Sequence, residues 1–205
     1  MAKQPMVQSG ASPALTGEVT RLLRQLQAKN GLNLAFLQAV WRTHDPNAWA
    51  QSPNTYRQFG QKVLQSGEPL LAYDALTEGL KRFPEDVALR QLMGLSLARS
   101  GASDAANALL ATLYREGYDD EETLGLLART HKDLAAQADS AAERQRHLRQ
   151  AHRLYSKAHR KWGGYWTGVN AATLACLLAQ KNRAARLAAE VETQCRRKLR
   201  GLNAN

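Results

Sequence analysis

Arg146, Arg149, Arg153, Lys157 and Arg160 recur at i, i+3, i+7, i+11 and i+14, which is the spacing of one helical face. Five cations in a stripe can track a phosphate backbone or seat an acidic protein segment, and they are equally the solvated outer face of an amphipathic helix. The opposite face carries Leu148, Ala151, Tyr155, Ala158 and Trp162. Arg196, Arg197, Lys198 and Arg200 add a second basic group near the C-terminus. Trp162, Tyr165 and Trp166 flank Gly163-Gly164 beside these cations, a combination able to stack nucleobases. Repeat packing explains the same tryptophans more simply, with both rings in the core.

Other reactive side chains are poorly arranged for catalysis. Asp119, Asp120, Glu121 and Glu122 stand where a helix begins, and carboxylates there cap free N–H groups and oppose the helix dipole. His44, His131, His147, His152 and His159 form no ligand set of His-x-Glu or His-x-x-x-His type. His152 and His159, seven apart, are expected on a pH-sensitive surface among cations. Cys176 and Cys195 have no Cys or His neighbour at zinc spacing, and Cys176 sits in an apolar run that predicts a small core residue. No active site, metal or cofactor is expected, and the chain reads as a non-enzyme.

Charge is unevenly distributed. Residues 1–142 hold fourteen Lys/Arg against fifteen Asp/Glu, whereas residues 143–205 hold fourteen against three, so the net +10 is all C-terminal. No stretch approaches the roughly 20 apolar residues of a membrane span. Met1 to Pro13 lacks the apolar core of a signal peptide, which predicts a cytoplasmic protein.

The elements that must position these groups follow from a repeat. Gly60 and Gly94, Gly67 and Gly101, Ala72 and Ala106, and Leu76 and Leu110 are each 34 residues apart. Two antiparallel helices per unit need small residues where backbones meet and large apolar ones beside them. In Asn54–Pro84 these are Tyr56, Phe59, Gly60 and Val63 on helix A and Ala72, Leu76 and Gly79 on helix B, with Pro84 as the stop. In Val87–Tyr118 they are Met93, Gly94 and Leu97, then Ala106, Leu110 and Leu113. This period and pattern resemble the tetratricopeptide repeat.

A third helix A is predicted at Glu121–Leu134. Its helix B, marked by Ala151, Tyr155 and Ala158, arrives late, so Ala135–Arg146 is an insertion whose composition favours helix extension. A fourth unit starts at Trp166, with Val169, Ala171 and Thr173 inward, then Ala184, Leu187, Ala188 and Val191. Ahead of the repeats, Leu15, Val19, Leu22 and Leu26 form a helical stripe ended by Asn30-Gly31. A helix at Leu32–Thr43 follows, with Leu34, Leu37 and Trp41 inward and Asp45-Pro46 breaking it. The expected organisation is a disordered stretch over 1–12, a capping helical hairpin over 13–50 and a tetratricopeptide-like domain over 51–200. Its fold class is all-α, a right-handed stack of antiparallel helical hairpins.

Gly125–Asp133, Ala151–Lys161 and the block Tyr165, Trp166, Thr167, Gly168, Val169, Asn170, Ala171, Ala172, Thr173, Leu174 resemble the TRAF-binding tetratricopeptide domain of apoptosis signal-regulating kinases and its bacterial relatives. That resemblance covers residues 54–194 and implies a non-catalytic module that docks or regulates a signalling partner. No kinase or other effector domain accompanies it here, so the module would act in trans. The concave face of such a stack is expected at Arg57, Gln61 and Leu64, then Gln91, Leu95 and Ala98, then Gly125, Arg129 and Lys132. Arg57, Arg129 and Lys132 around small apolar residues suit an acidic or amphipathic protein segment. The alternative partner is nucleic acid, bound through the cations of residues 144–200.

Overall fold

The computed structural model describes residues 17–27 and 33–202, and within them every regular element is a helix. In chain order these are α1 (Gly17–Gln27), α2 (Leu34–Thr43), α3 (Pro46–Trp49), α4 (Pro53–Gln65), α5 (Pro69–Arg82), α6 (Val87–Arg99), α7 (Ser103–Arg115), α8 (Glu121–Gln137), α9 (Ala141–Trp162), α10 (Tyr165–Leu177) and α11 (Lys181–Leu202). Residues 1–12, Leu15 and the Asn30-Gly31 stop lie outside the described residues.

Local chemistry sets the starts. Asn33, Asp45, Ser52, Asp86, Asp120 and Ser140 each accept a backbone N–H of the helix they open, an interaction whose loss typically costs about 0.5–2 kcal/mol. Proline opens α3, α4 and α5, where its missing N–H has no intrahelical partner to lose. Asp45-Pro46 therefore does more than break α2: it caps a further turn, α3, which carries the buried Trp49. The tryptophan packs in a cluster with Trp41 and His44, tilted, and with Tyr56 and Phe59, edge to face.

Helices α4/α5, α6/α7, α8/α9 and α10/α11 pair as consecutive hairpins, and α1, α2 and α3 all pack on α4. The small-residue logic holds at both regular repeats. A β-carbon on Gly60 would lie 2.8 Å from the Leu76 side chain, and one on Gly94 2.7 Å from Leu110. Two hydrophobic clusters result, one from Val19 to Met93 and one from Leu110 to Leu187, and half-buried Leu95 packs against both.

The insertion in the third unit lengthens both of its helices. α8 has 17 residues where α4 and α6 have 13, and α9 has 22 where α5 and α7 have 14 and 13. At about 1.5 Å per residue the α8–α9 hairpin gains one turn on one arm and two on the other.

The fourth unit is displaced by one position from the expectation. Gly168, Ala171, Leu174 and Ala175 face the core of α10, while Val169 and Thr173 are exposed. Cys176 is exposed as well, because the run from Ala171 to Leu178 presents only one helical face to α9 and α11. No described helix is long and apolar enough to cross a membrane.

Candidate functional site

The A helices form the inner row of the stack, since α4 packs against α6 and α6 against α8. Two equivalent bridges tie the row together. Arg57 on α4 donates to the carboxylate of Asp86, the N-cap of α6, with Nε 2.9 Å from Oδ1. Thirty-four residues on, Gln91 on α6 donates to Asp120, the N-cap of α8, at 3.0 Å and to Thr123 Oγ1 at 2.8 Å. Each aspartate thus serves its own helix and the preceding repeat at once.

These bridges decide which expected face residues stay open. Gln61 is exposed; Arg57 keeps part of its guanidinium in solvent beside Asp86; Gln91 and Leu95 are half-buried. Arg129 pairs with Asp133 one turn on at 3.7 Å, and Lys132 Nζ donates to Asn170 Oδ1 at 2.8 Å, bringing α10 onto α8. Leu64, Ala98 and Gly125, placed on the open face by spacing, are buried instead. Leu64 and Ala98 belong to the close-packed row of A helices, and Gly125 is covered by the indole of Trp166. That indole meets Tyr155 edge to face, with centroids 6.1 Å apart.

The cationic stripe runs along α9 but divides into groups. Arg146 sits 3.4 Å from Glu143 on its own helix. Lys157 turns towards the α7–α8 connection, 3.2 Å from Asp119 and with its Nζ donating to the Tyr114 hydroxyl at 3.0 Å. Lys161 joins it at 2.7 Å from Asp119, and the two ammonium groups hold that carboxyl below its ordinary range. Arg149, Arg153 and Arg160 lie at the other edge of the stripe, facing Arg183 at the start of α11.

The acidic run is consumed by structure. Asp119 anchors the end of α9, Asp120 caps α8, and Glu121 accepts the Thr167 hydroxyl at 2.7 Å. Glu122, next to two carboxylates, has its pKa raised by desolvation first and by those neighbours second. Trp162, expected in the core, is about half exposed at the end of α9, where its Nε1 donates to the Asp119 carbonyl at 3.1 Å. Tyr165 is similarly exposed.

Helix pairing also assembles groups that spacing could not connect. His131 Nδ1 lies 3.0 Å from His147 Nδ1 across the α8–α9 hairpin, and the Asn107 amide donates to His131 Nε2 at 3.4 Å. Burial and the neighbouring His147 push the His131 imidazole down to about 4. His152, expected on the surface, is buried, because it faces α10 and α11 and not solvent; desolvation and then Arg183 lower its pKa. Among the described residues no group of three or more His, Cys, Asp or Glu is placed to hold a metal ion.

Comparison with known proteins agrees with this architecture. Residues 72–175 match the family model described as Tetratricopeptide Repeats-Sensor. The fold is similar to that of TTC0263, a thermophilic tetratricopeptide protein of Thermus thermophilus, with a TM-score of 0.63 at 16% identity over 68% of this chain and 73% of that one. It is also similar to MamA from residue 41 to its end, of Desulfovibrio magneticus RS-1, with a TM-score of 0.59 at 15% identity over 89% and 98% of the two chains. A curated relative, Protein nucleotidyltransferase YdiU of Enterobacter sp. (strain 638), is 36% identical over 83 residues, 37% of this chain. The match spans only 17% of that relative's length, so the activity in its name belongs to a much larger protein.

Proposed function

The chain belongs to the Tetratricopeptide Repeats-Sensor family, and on that premise we propose that it is a non-catalytic docking module that recruits or regulates a signalling partner. A tetratricopeptide stack suits a protein-binding scaffold, because its units each contact only their neighbours and leave an extended inner face. The observation that carries the reading is the inner row itself. Leu95, half-buried at the junction of the two cores, lies between the cationic Arg57 of α4 and the Arg129–Lys132 pair of α8. An apolar centre flanked by cations fits an acidic, amphipathic segment of a partner protein. The likeness of Gly125–Asp133, Ala151–Lys161 and Gly164–Leu178 to the TRAF-binding domain supports a partner from signalling. A cytoplasmic setting, where the free thiols of Cys176 and Cys195 stay reduced, belongs to the same proposal.

The division of the α9 stripe weighs against nucleic acid as the main partner. Lys157 is committed to Asp119 and Arg146 lies beside Glu143, which leaves Arg149, Arg153 and Arg160 as a short row, whereas continuous phosphate tracking needs an unbroken one. Titration of the purified chain with acidic amphipathic peptides selected by display, compared with duplex and single-stranded DNA over a salt series, tests the proposal. Peptide binding that survives moderate salt and is lost in Arg129→Glu/Lys132→Glu supports it. DNA binding with a steep salt slope and no peptide binding overturns it.

A further inference from the structure

A groove of about 280 Å³ lies between the second half of α9 and the start of α11. Arg149, Arg153 and Arg160 line it from α9, and Arg183 lines it from α11. Among the described residues none of these four guanidinium groups forms an ion pair. Arg153 donates to Gln150 on its own helix, and Arg160 Nε donates to the Ser156 carbonyl at 3.3 Å, which positions its remaining N–H groups without using them. Four cations drawn together from two helices repel one another, and no carboxylate among the described residues pairs with them.

The floor of the groove is His152, whose residue is only 4% exposed. Its Nδ1 lies 3.0 Å from Ser156 Oγ, while its Nε2 is buried with no hydrogen-bond partner. In the tautomer in which the Ser156 hydroxyl donates its hydrogen bond to Nδ1, the imidazole proton sits on Nε2. The ring then offers a single N–H beneath the arginines. Burial and Arg183 both oppose a second proton, so the ring acts as a neutral donor. Buried polar atoms in native proteins are nearly always satisfied, and a donor left unpaired is a strong pointer to a missing acceptor.

The inventory is thus one of donors only: guanidinium forks around the rim and an imidazole N–H below. A tetrahedral oxyanion with several acceptor oxygens matches it, since planar guanidinium groups bind phosphate in bidentate fashion. The groove holds a phosphate group with room for little else inside it. We infer that this groove binds a phosphate group, free or carried as a monoester by a small molecule, through Arg149, Arg153, Arg160 and Arg183 with His152 as the donor beneath. The inference is independent of peptide docking, which uses α4, α6 and α8.

Isothermal titration at constant ionic strength with inorganic phosphate, ribose 5-phosphate and unphosphorylated ribose tests it. Binding of inorganic phosphate, ribose 5-phosphate or both, with none of ribose, is expected; comparison of the two affinities tells a free from an esterified source. Arg183→Gln, at a surface side chain with no partner to lose, should keep the fold by circular dichroism and weaken phosphate binding at least about tenfold, the loss expected for one charge-assisted contact. A proton NMR signal from the His152 ring N–H that becomes protected from exchange on adding phosphate provides a second readout in the unaltered protein. No phosphate binding up to ~10 mM overturns the inference. So does binding that Arg183→Gln leaves unchanged, or binding restricted to DNA and RNA oligomers with a steep salt slope.

Discussion

The indole of Trp166 occupies the space that a side chain on Gly125 would need: a β-carbon there would fall 1.9 Å from the ring. The glycine leaves room for the Trp166 ring of α10 against α8, and Lys132 of α8 donates to Asn170 of α10 beside it. Gly125→Ala must therefore displace a rigid ring and is expected to cost about 1–3 kcal/mol, as overpacking of a close-packed site does. Chemical denaturation measures it. In a double-mutant cycle with Trp166→Ala the two losses should fail to add.

Ala179 is the described non-glycine residue at positive φ, at 59°, whereas Gly67, Gly101, Gly117 and Gly163 take the corresponding left-handed position at other helix ends. A β-carbon in that region meets the following carbonyl. Ala179→Gly should raise stability by about 0.5–1 kcal/mol after the extra flexibility of glycine in the unfolded chain is counted. A thermal midpoint that falls would show that the turn draws more from the methyl group than it loses in strain.

The helix stops also explain what could be read from the residues. Gly67 and Gly101 close α4 and α6, and the next position in register, 135, is an alanine buried in the continuing α8. The longer third hairpin was legible from the late arrival of Ala151, Tyr155 and Ala158 and the helix-favouring residues before them, and the packing roles of Gly60, Leu76, Gly94 and Leu110 were legible from their 34-residue spacing. What spacing did not reveal depends on how far α9 slides along α8. That offset brings His131 to His147 and turns Lys157 to Asp119. It also leaves Trp162 at an exposed helix end, while His152 is buried on the other side of α9, towards α10 and α11. The one-residue shift of the fourth unit likewise put Val169 and Cys176 outside. For Arg57 and Gln91 the 34-residue spacing made the two positions equivalent but did not show their bonds to the caps Asp86 and Asp120, which only the packed neighbour supplies.

Acid should weaken the fold through His131. Its pKa is near 6.5 in the unfolded chain and about 4 in the folded one, because burial and His147 disfavour the charged ring. The unfolded chain then binds the proton more readily, so the contribution is fully present above about pH 6.5 and is lost as pH falls towards 4. His152 acts in the same direction, and the raised carboxyls of Glu122 and Asp133 act oppositely at the lower end. Urea midpoints between pH 7.5 and 4.5 should drop in the native protein and drop less in His131→Asn. Identical slopes would remove His131 from the explanation.

Cys176 and Cys195 should differ in reactivity. The first is exposed on α10 and the second is half-buried on α11. An aromatic disulfide reagent on the folded protein should titrate Cys176 first, and Cys176→Ser should leave the stability unchanged within about 0.5 kcal/mol, as for other surface substitutions. Slow labelling of both thiols would place Cys176 in the interior.

The docking reading is tested most directly by amide NMR of the whole chain titrated with a display-selected acidic peptide. Shift changes should concentrate on α4, α6 and α8 around Gln61, Leu95, Arg129 and Lys132, with the Arg149–Arg183 groove undisturbed. Changes confined to α9 and α11, with the inner row silent, would contradict it.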